Sequence, residues 1–246
     1  MPAAELEKAS SGLRRLLRRL ENGVEFTEEE RQLLLNLPLH VRSFEADQDV
    51  VREGDRPSDT GLVLEGFVCR HKVAADGRRQ ILSFHPAGDI PDLQSLRLKA
   101  MDHSIAALVP TRMAFIPHHA LEALIRTSPM IASALWRQTL IDAAIFREWM
   151  LGLGRRSAFQ RVAHLLCEMA LRLKQVGLGD ERGYNFPVTQ SELGDALGIS
   201  TVHANRVVQE LRRSRLIVWQ GAKLTILDWD GLQMAADFDP AYLHQR

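Results

Sequence analysis

Residues 197–213 read LGISTVHANRVVQELRR, a glycine turn followed by a segment whose two faces disagree. Ala204, Val207, Val208 and Leu211 recur at i, i+3, i+4 and i+7 and form one apolar stripe. Opposite them, at roughly 100° per residue, stand Val202, Arg206, Gln209 and Arg213, flanked by Thr201 and Asn205. Just upstream, Thr189-x-x-Glu192 has the spacing of a capping box and predicts a helix beginning at Gln190 and running through Leu193 and Leu197. That helix is expected to stop at Gly198, where a left-handed residue is needed and glycine takes it cheaply. Gly194, without a β-carbon, lets the next helix cross close by, and Ser200 is placed to cap it. Downstream, LIVW and KLTI around QGA read as a two-stranded hairpin. Helix, glycine turn, second helix and hairpin together predict a winged helix-turn-helix.

The outward residues are those that read base edges. Arg206 can fork onto guanine O6 and N7, Gln209 or Asn205 can pair with adenine, and Val202 offers an apolar contact to the thymine methyl. Thr189, Gln190, Ser200 and His203 fall near helix N-termini, where phosphate oxygens are held. The competing reading is an amphipathic helix pair inside a larger helical domain, with Arg206 and Arg213 merely solvated.

Bulk properties bound the alternatives. The chain has 246 residues, enough for two domains, and is 46% hydrophobic and 25% charged, the balance of a soluble globular protein. No apolar run approaches the roughly 18 residues that span a bilayer. The N-terminus threads arginines through its leucines and lacks the pattern of a secretory signal. Two cysteines, Cys69 and Cys167, make no disulfide framework and suit a cytoplasmic location. The net charge is zero, but residues 156–226 carry ten basic side chains against six acidic ones. The stretch from 227 onward is acidic, so a modestly basic module sits between parts that are not basic.

The remaining chain divides by texture. Residues 13–20 and 27–37 read as short helices, the second capped by Thr27. From about 41 to 117, short apolar runs alternate with Gly, Asp and Pro turns, as in a sandwich or barrel. Asp76-Gly77 signals a hairpin whose two turn positions tolerate positive φ. A long helix is expected from Ser128-Pro129 to about Leu153, with Ile131, Leu135, Ile141, Ile145, Phe146, Trp149 and Leu153 in an apolar band broad enough to pack on its own domain and on a second copy. Asp142 and Glu148 interrupt the obvious heptad registers. Gly152 and Gly154 are expected to end that helix, and Ser157-x-x-Gln160 to open another that buries Phe159, Val162, Ala163 and Leu166.

With those segments in order, the sequence resembles the catabolite activator / fumarate-nitrate regulator (CRP/FNR) family over almost its whole length. The stretch from Arg52 to Ile90, with turns at EGD, EG, DGR and PAGD, is similar to the family's sensory β-roll. The long helix resembles its dimerisation helix, and the residues from Thr189 to Ile217 resemble its DNA-binding motif. The resemblance implies an α+β chain: a cyclic-nucleotide-binding-like β-roll (a double-stranded β-helix) over 1–127, a dimerisation helix over 128–154 and a winged helix-turn-helix over 155–246. It further implies a cytoplasmic homodimer on a two-fold symmetric site, contact with RNA polymerase, possible gating by an unknown small-molecule effector, and no membrane and no catalytic centre. Thr201, Val202 and Arg206 occupy its base-reading positions. Well-known members have glutamate where Val202 stands, so the preferred half-site should differ at that base.

The effector pocket departs from the family more seriously. The cyclic-phosphate cassette, GEL followed by RS or RT, is matched here by Pro91-Asp92-Leu93 and His103-Ser104. Pro91 removes a backbone donor, Asp92 is a carbon shorter than glutamate, and His103 is mostly neutral at pH 7. Phe146 and Arg147 replace the helix hydroxyls that would meet the purine. Cyclic AMP is therefore not expected. An iron–sulfur cluster needs about four thiolates, so none is expected either, and no other cofactor is identifiable. Two other classes compete: a cupin-like metal enzyme using His71, His85, His103 or His118, and a sensory protein that no longer binds DNA. Against the first, the H-x-H pair is missing, and His118 and His119, if on a strand, would face opposite ways. Neither a metal site nor a catalytic set is assigned.

Overall fold

The computed structural model describes residues 3–245, with side chains described from residue 10 onward. It comprises two compact units: one takes in the chain to Lys72 and Ser83–Asp142, the other Val73–Leu82 and Ala143–Gln245.

The N-terminal unit opens with α1 (Ala3–Leu20) and α2 (Glu28–Leu35). Helix α1 extends well upstream of the expected residues 13–20, because AAELEKAS is composed largely of good helix formers. Thr27 and Glu30 form the capping box of α2. Seven strands follow: β1 (His40–Phe44), β2 (Asp49–Val51), β3 (Asp59–Glu65), β4 (Phe67–Val73), β5 (Arg79–Pro86), β6 (Ser104–Ala107) and β7 (Thr111–Pro117). They make two antiparallel sheets, β1-β7-β3 and β2-β6-β4-β5, the β-roll. Leu62 and Leu64 of β3 pack with Leu13, Leu16 and Leu20 of α1, while Val63, on the other face of the strand, is buried as well.

Local details correct several expectations. At the β4–β5 turn only Gly77 has positive φ (83°). Gly77 N–H donates to the Ala74 carbonyl and Ala74 N–H to that of Arg78, each at 2.9 Å, so the loop is a three-residue turn with a glycine bulge rather than a two-residue one. His118 and His119 begin α3 (His118–Thr127) instead of lying on a strand. Helix α4 (Pro129–Arg155) starts at the Ser128 cap, whose hydroxyl accepts from Ile131 N–H at 3.1 Å, and runs through Gly152 and Gly154 without stopping. Neither glycine has positive φ; the break comes at Ser157, whose capping box with Gln160 opens α5 (Ala158–Gln175). Of the four residues expected to be buried there, Val162, Ala163 and Leu166 are, but Phe159 is only half-buried.

A stripe on α4 escaped the sequence reading. Trp136, Leu140, Ala143, Arg147, Met150 and Gly154 alternate four and three apart, the a/d spacing of a two-stranded seam. Trp136, Leu140 and Met150 are 67%, 53% and 73% exposed, whereas Ile131, Leu135, Ile141 and Ile145 on the other side are buried.

The C-terminal unit adds β8 (Gly179–Asp180), β9 (Gly183–Asn185), α6 (Gln190–Leu197), α7 (Thr201–Arg213), β10 (Ile217–Gln220), β11 (Lys223–Ile226) and α8 (Trp229–Ala236). The expected hairpin is half of a four-stranded antiparallel wing, β10-β11-β9-β8. The short β8–β9 pair had too few alternating residues to be seen in sequence.

Candidate nucleic-acid interface

The helix pair is set by its caps and two glycines. The Thr189 hydroxyl accepts from Glu192 N–H at 3.2 Å, and the Glu192 carboxylate accepts from Thr189 N–H at 2.6 Å. Gly198 ends α6 with φ 63°, the left-handed conformation. A β-carbon on Gly194 would lie 2.6 Å from the Ile199 carbonyl oxygen, so only glycine admits the turn. The Ser200 hydroxyl then accepts from His203 N–H at 3.2 Å and opens α7.

Ala204, Val207, Val208 and Leu211 are all buried and fasten α7 to its unit. The other face is open: Thr201, Val202, His203, Asn205, Arg206 and Arg213 are exposed, and Gln209 is half-buried. Val202 alone is 62% exposed. Among the described residues, the side chains of Asn205, Arg206, Gln209 and Arg213 enter no ion pair or hydrogen bond with the protein. Their donors and acceptors are thus uncommitted on one surface. Thr189 is exposed beside it at the start of α6, and Gln190 is half-buried. At the far end, Arg215 holds a left-handed φ of 58°, and Leu216 N–H returns to the Leu211 carbonyl at 3.1 Å. This helix exit is usually signalled by glycine, so nothing in the local residues announces it.

The residues matched to the effector cassette are committed elsewhere. Asp92 is buried, and its carboxylate accepts from Gly61 N–H at 2.8 Å. Burial raises its pKa to about 7. Leu93 belongs to the apolar core with Leu62 and Leu64. His103 pairs through Nδ1 with Asp102 at 2.9 Å, burial lowers its pKa, and the Ser104 hydroxyl accepts from Glu53 N–H at 3.0 Å. Phe146 and Arg147 lie exposed on the second half of α4. One interior polar group that sequence reasoning missed is Arg70 of β4, only 4% exposed. Its Nε donates to the Pro91 carbonyl at 2.6 Å and a terminal nitrogen to the Asp142 carboxylate at 3.1 Å. Nearby, Arg19 of α1 is paired with Asp89, which also meets His85 Nδ1 at 3.1 Å. Burial, reinforced by the Arg70 charge, lowers the His85 pKa to about 4.

The four histidines considered as metal ligands have separate partners: His71 faces Asp49, His85 meets Ser83 and Asp89, His103 meets Asp102 and Gln94, and His118 meets Ser95. Cys69 and Cys167 are both buried, and burial raises the Cys167 thiol to about 12. Among the described residues no helix is long and apolar enough to cross a membrane.

Comparison with known proteins agrees with this geometry. Residues 160–235 match the family model of the Crp-like helix-turn-helix domain, and residues 41–128 that of the cyclic nucleotide-binding domain. The chain is 28% identical over 191 residues to the transcriptional activator protein FnrL of Cereibacter sphaeroides, covering 76% of each chain. It is 25% identical over 213 residues to the transcriptional activator protein FnrA of Stutzerimonas stutzeri, covering 81% of this chain and 87% of that one. The solved structure of FixK2 from Bradyrhizobium japonicum superposes with a TM-score of 0.73 at 25% identity, over 81% of this chain and 98% of the other.

Proposed function

Since the chain belongs to the CRP/FNR family of DNA-binding regulators, we propose that it acts as a homodimer which reads a two-fold symmetric DNA site through α7, and that it does so without a cyclic nucleotide. The observation that carries the reading is the outer face of α7. The side chains of Arg206, Asn205 and Gln209 stand there with no partner among the described residues, on a helix whose opposite stripe is locked in the core. A guanidinium and two amides are the groups that distinguish guanine and adenine in the major groove, and Val202 adds a methyl-sized contact for thymine. Thr189, Ser200 and His203 mark helix starts suited to phosphate oxygens.

The exposed a/d stripe of α4 supports self-association, since a soluble monomer gains nothing from a tryptophan, a leucine and a methionine held in water. Two such stripes would bury one another and place two copies of α7 on one DNA face, which is what a symmetric operator requires. Independence from a cyclic nucleotide is supported by the use already made of the cassette: Pro91 has no N–H to offer and gives its carbonyl to Arg70, and Asp92 is turned onto Gly61. A phosphate brought there would meet a buried carboxyl instead of free amides.

Selection of bound duplexes from a randomised pool, with purified protein and no added ligand, tests the reading. Enrichment of an inverted repeat with half-sites about one helical turn apart is expected. Enrichment only after cyclic AMP is added would overturn ligand independence, and enrichment of single unpaired half-sites would overturn the dimer.

A further inference from the structure

Three buried nitrogens on the wall of one cavity in the C-terminal unit meet no acceptor among the described residues: Nε of Arg156, Nε of Arg161 and Nε2 of His164. The cavity lies where the end of α4, the start of α5 and the end of α6 come together, and Trp149, Leu153 and Leu197 line it as well. Its volume is about 20 Å³, above the roughly 10–15 Å³ that a single water-sized group requires.

The charges on this wall are out of balance. Glu148 is its one carboxylate, and it accepts from an Arg156 terminal nitrogen at 2.9 Å. The same carboxylate is 3.7 Å from His164 Nε2, too far for a hydrogen bond. The Arg161 side chain has neither an ion pair nor a hydrogen bond among the described residues, and burial lowers the pKa of its guanidinium. His164 is 5% exposed and packed between Phe238 and Tyr242; burial, with Arg156 beside it, lowers its pKa to about 3. The imidazole is therefore neutral at ordinary pH. Two guanidiniums face one carboxylate, and every unused group is a potential donor. Buried donors without acceptors are costly, and a small negative group at this point would relieve both the orphaned bonds and the excess charge.

We propose that this cavity is a binding site for a small inorganic anion of chloride size, held by the unpaired guanidinium of Arg161 together with Arg156 Nε and His164 Nε2. Because α4 and α6 both contribute to the wall, the anion would tie the long helix to the first helix of the DNA-reading pair. The site stands apart from the reading of α7, and its test contains no DNA, so either can fail alone.

The test is a chloride titration of the full-length protein at constant ionic strength against gluconate, following the imidazole resonances of His164 by NMR with histidine-selective labelling. A saturable shift is expected in the unsubstituted protein. In Arg161→Gln its midpoint should rise at least tenfold, while Arg161→Lys, which keeps the charge, should hold it within about threefold. Far-UV circular dichroism confirms that the variants are folded. Absence of a saturable shift in the unsubstituted protein overturns the site outright, whatever the variants do. Saturation with the same midpoint in Arg161→Gln, or saturation by sulfate but not chloride, overturns it equally.

Discussion

The guanidinium of Arg70 reaches the carboxylate of Asp142 at 3.1 Å, joining a strand of the β-roll to the long helix α4. Arg70 is almost wholly buried and Asp142 four-fifths so. Breaking such a pair strands a charge, and Arg70→Met is expected to destabilise the N-terminal unit by about 3 kcal/mol, the lower end for buried pairs. Replacing both, as Arg70→Met with Asp142→Leu, should recover most of that loss, because the desolvation cost of two charges disappears with them. Urea denaturation of the two single variants and the double variant checks this; losses that simply add would show that the pair is not coupled.

Two buried groups in that unit should give opposing pH dependences. Burial holds Asp92 at about 7 when folded, against 3.8 ordinarily, and holds His85 at about 4 against 6.5. Between pH 4 and 6.5 the folded state keeps a proton on Asp92 that the unfolded chain has released, so this group's contribution falls as pH rises. It lacks a proton on His85 that the unfolded chain holds, so that contribution is lost as pH falls. Each slope is about 1.4 kcal/mol per pH unit, and they offset one another. Asp92→Asn should therefore make stability rise with pH through this window, and His85→Asn should make it fall. Stability measured at three pH values for each variant decides, and slopes of the same sign would refute the compensation.

Gly194→Ala brings a β-carbon to 2.6 Å from the Ile199 carbonyl oxygen, a backbone atom that cannot swing aside. The expected cost is about 1–3 kcal/mol, with a loss of DNA affinity as α6 and α7 separate. Thermal denaturation and a binding titration on the same sample would show both; an unchanged melting temperature would mean that the turn relaxes freely.

Arg206→Ala is expected to cost about 1–3 kcal/mol on the preferred site and to relax one base position. Arg213→Ala, nearer the end of the same helix, should weaken specific and random DNA alike and lower the salt slope by about one. Equal losses on both kinds of DNA for Arg206→Ala would remove it from base reading.

Arg147 occupies the α4 stripe between Ala143 and Met150, where it would face its own counterpart across a two-fold axis. Arg147→Leu should tighten self-association roughly tenfold, whereas Leu140→Asp should leave a folded monomer. Sedimentation equilibrium measures both, and a dimer that survives Leu140→Asp unchanged would place the interface elsewhere.

The pair of helices α6 and α7 was almost wholly legible in the chain, because its signals are local. Thr189, Glu192, Gly198 and Ser200 each act within a few residues of themselves, and the stripe from Ala204 to Leu211 repeats with the helix. Helix α4 was legible as a helix, but Gly152 and Gly154 misled its expected end, since a glycine terminates a helix only when its backbone turns left-handed. The exit of α7 was invisible for the converse reason, an arginine standing where glycine is usual.

Sequence by itself therefore determined the order of the parts, the caps and the buried stripe of α7. Only the tertiary structure decided what lies inside the roll and which side of α4 is left open. Arg70 meets Pro91 and Asp142 across 21 and 72 residues of chain, and Arg19 meets Asp89 across 70. No periodicity connects positions so distant; burial selects these partners, because a charge removed from water must find its counter-charge wherever the fold places one.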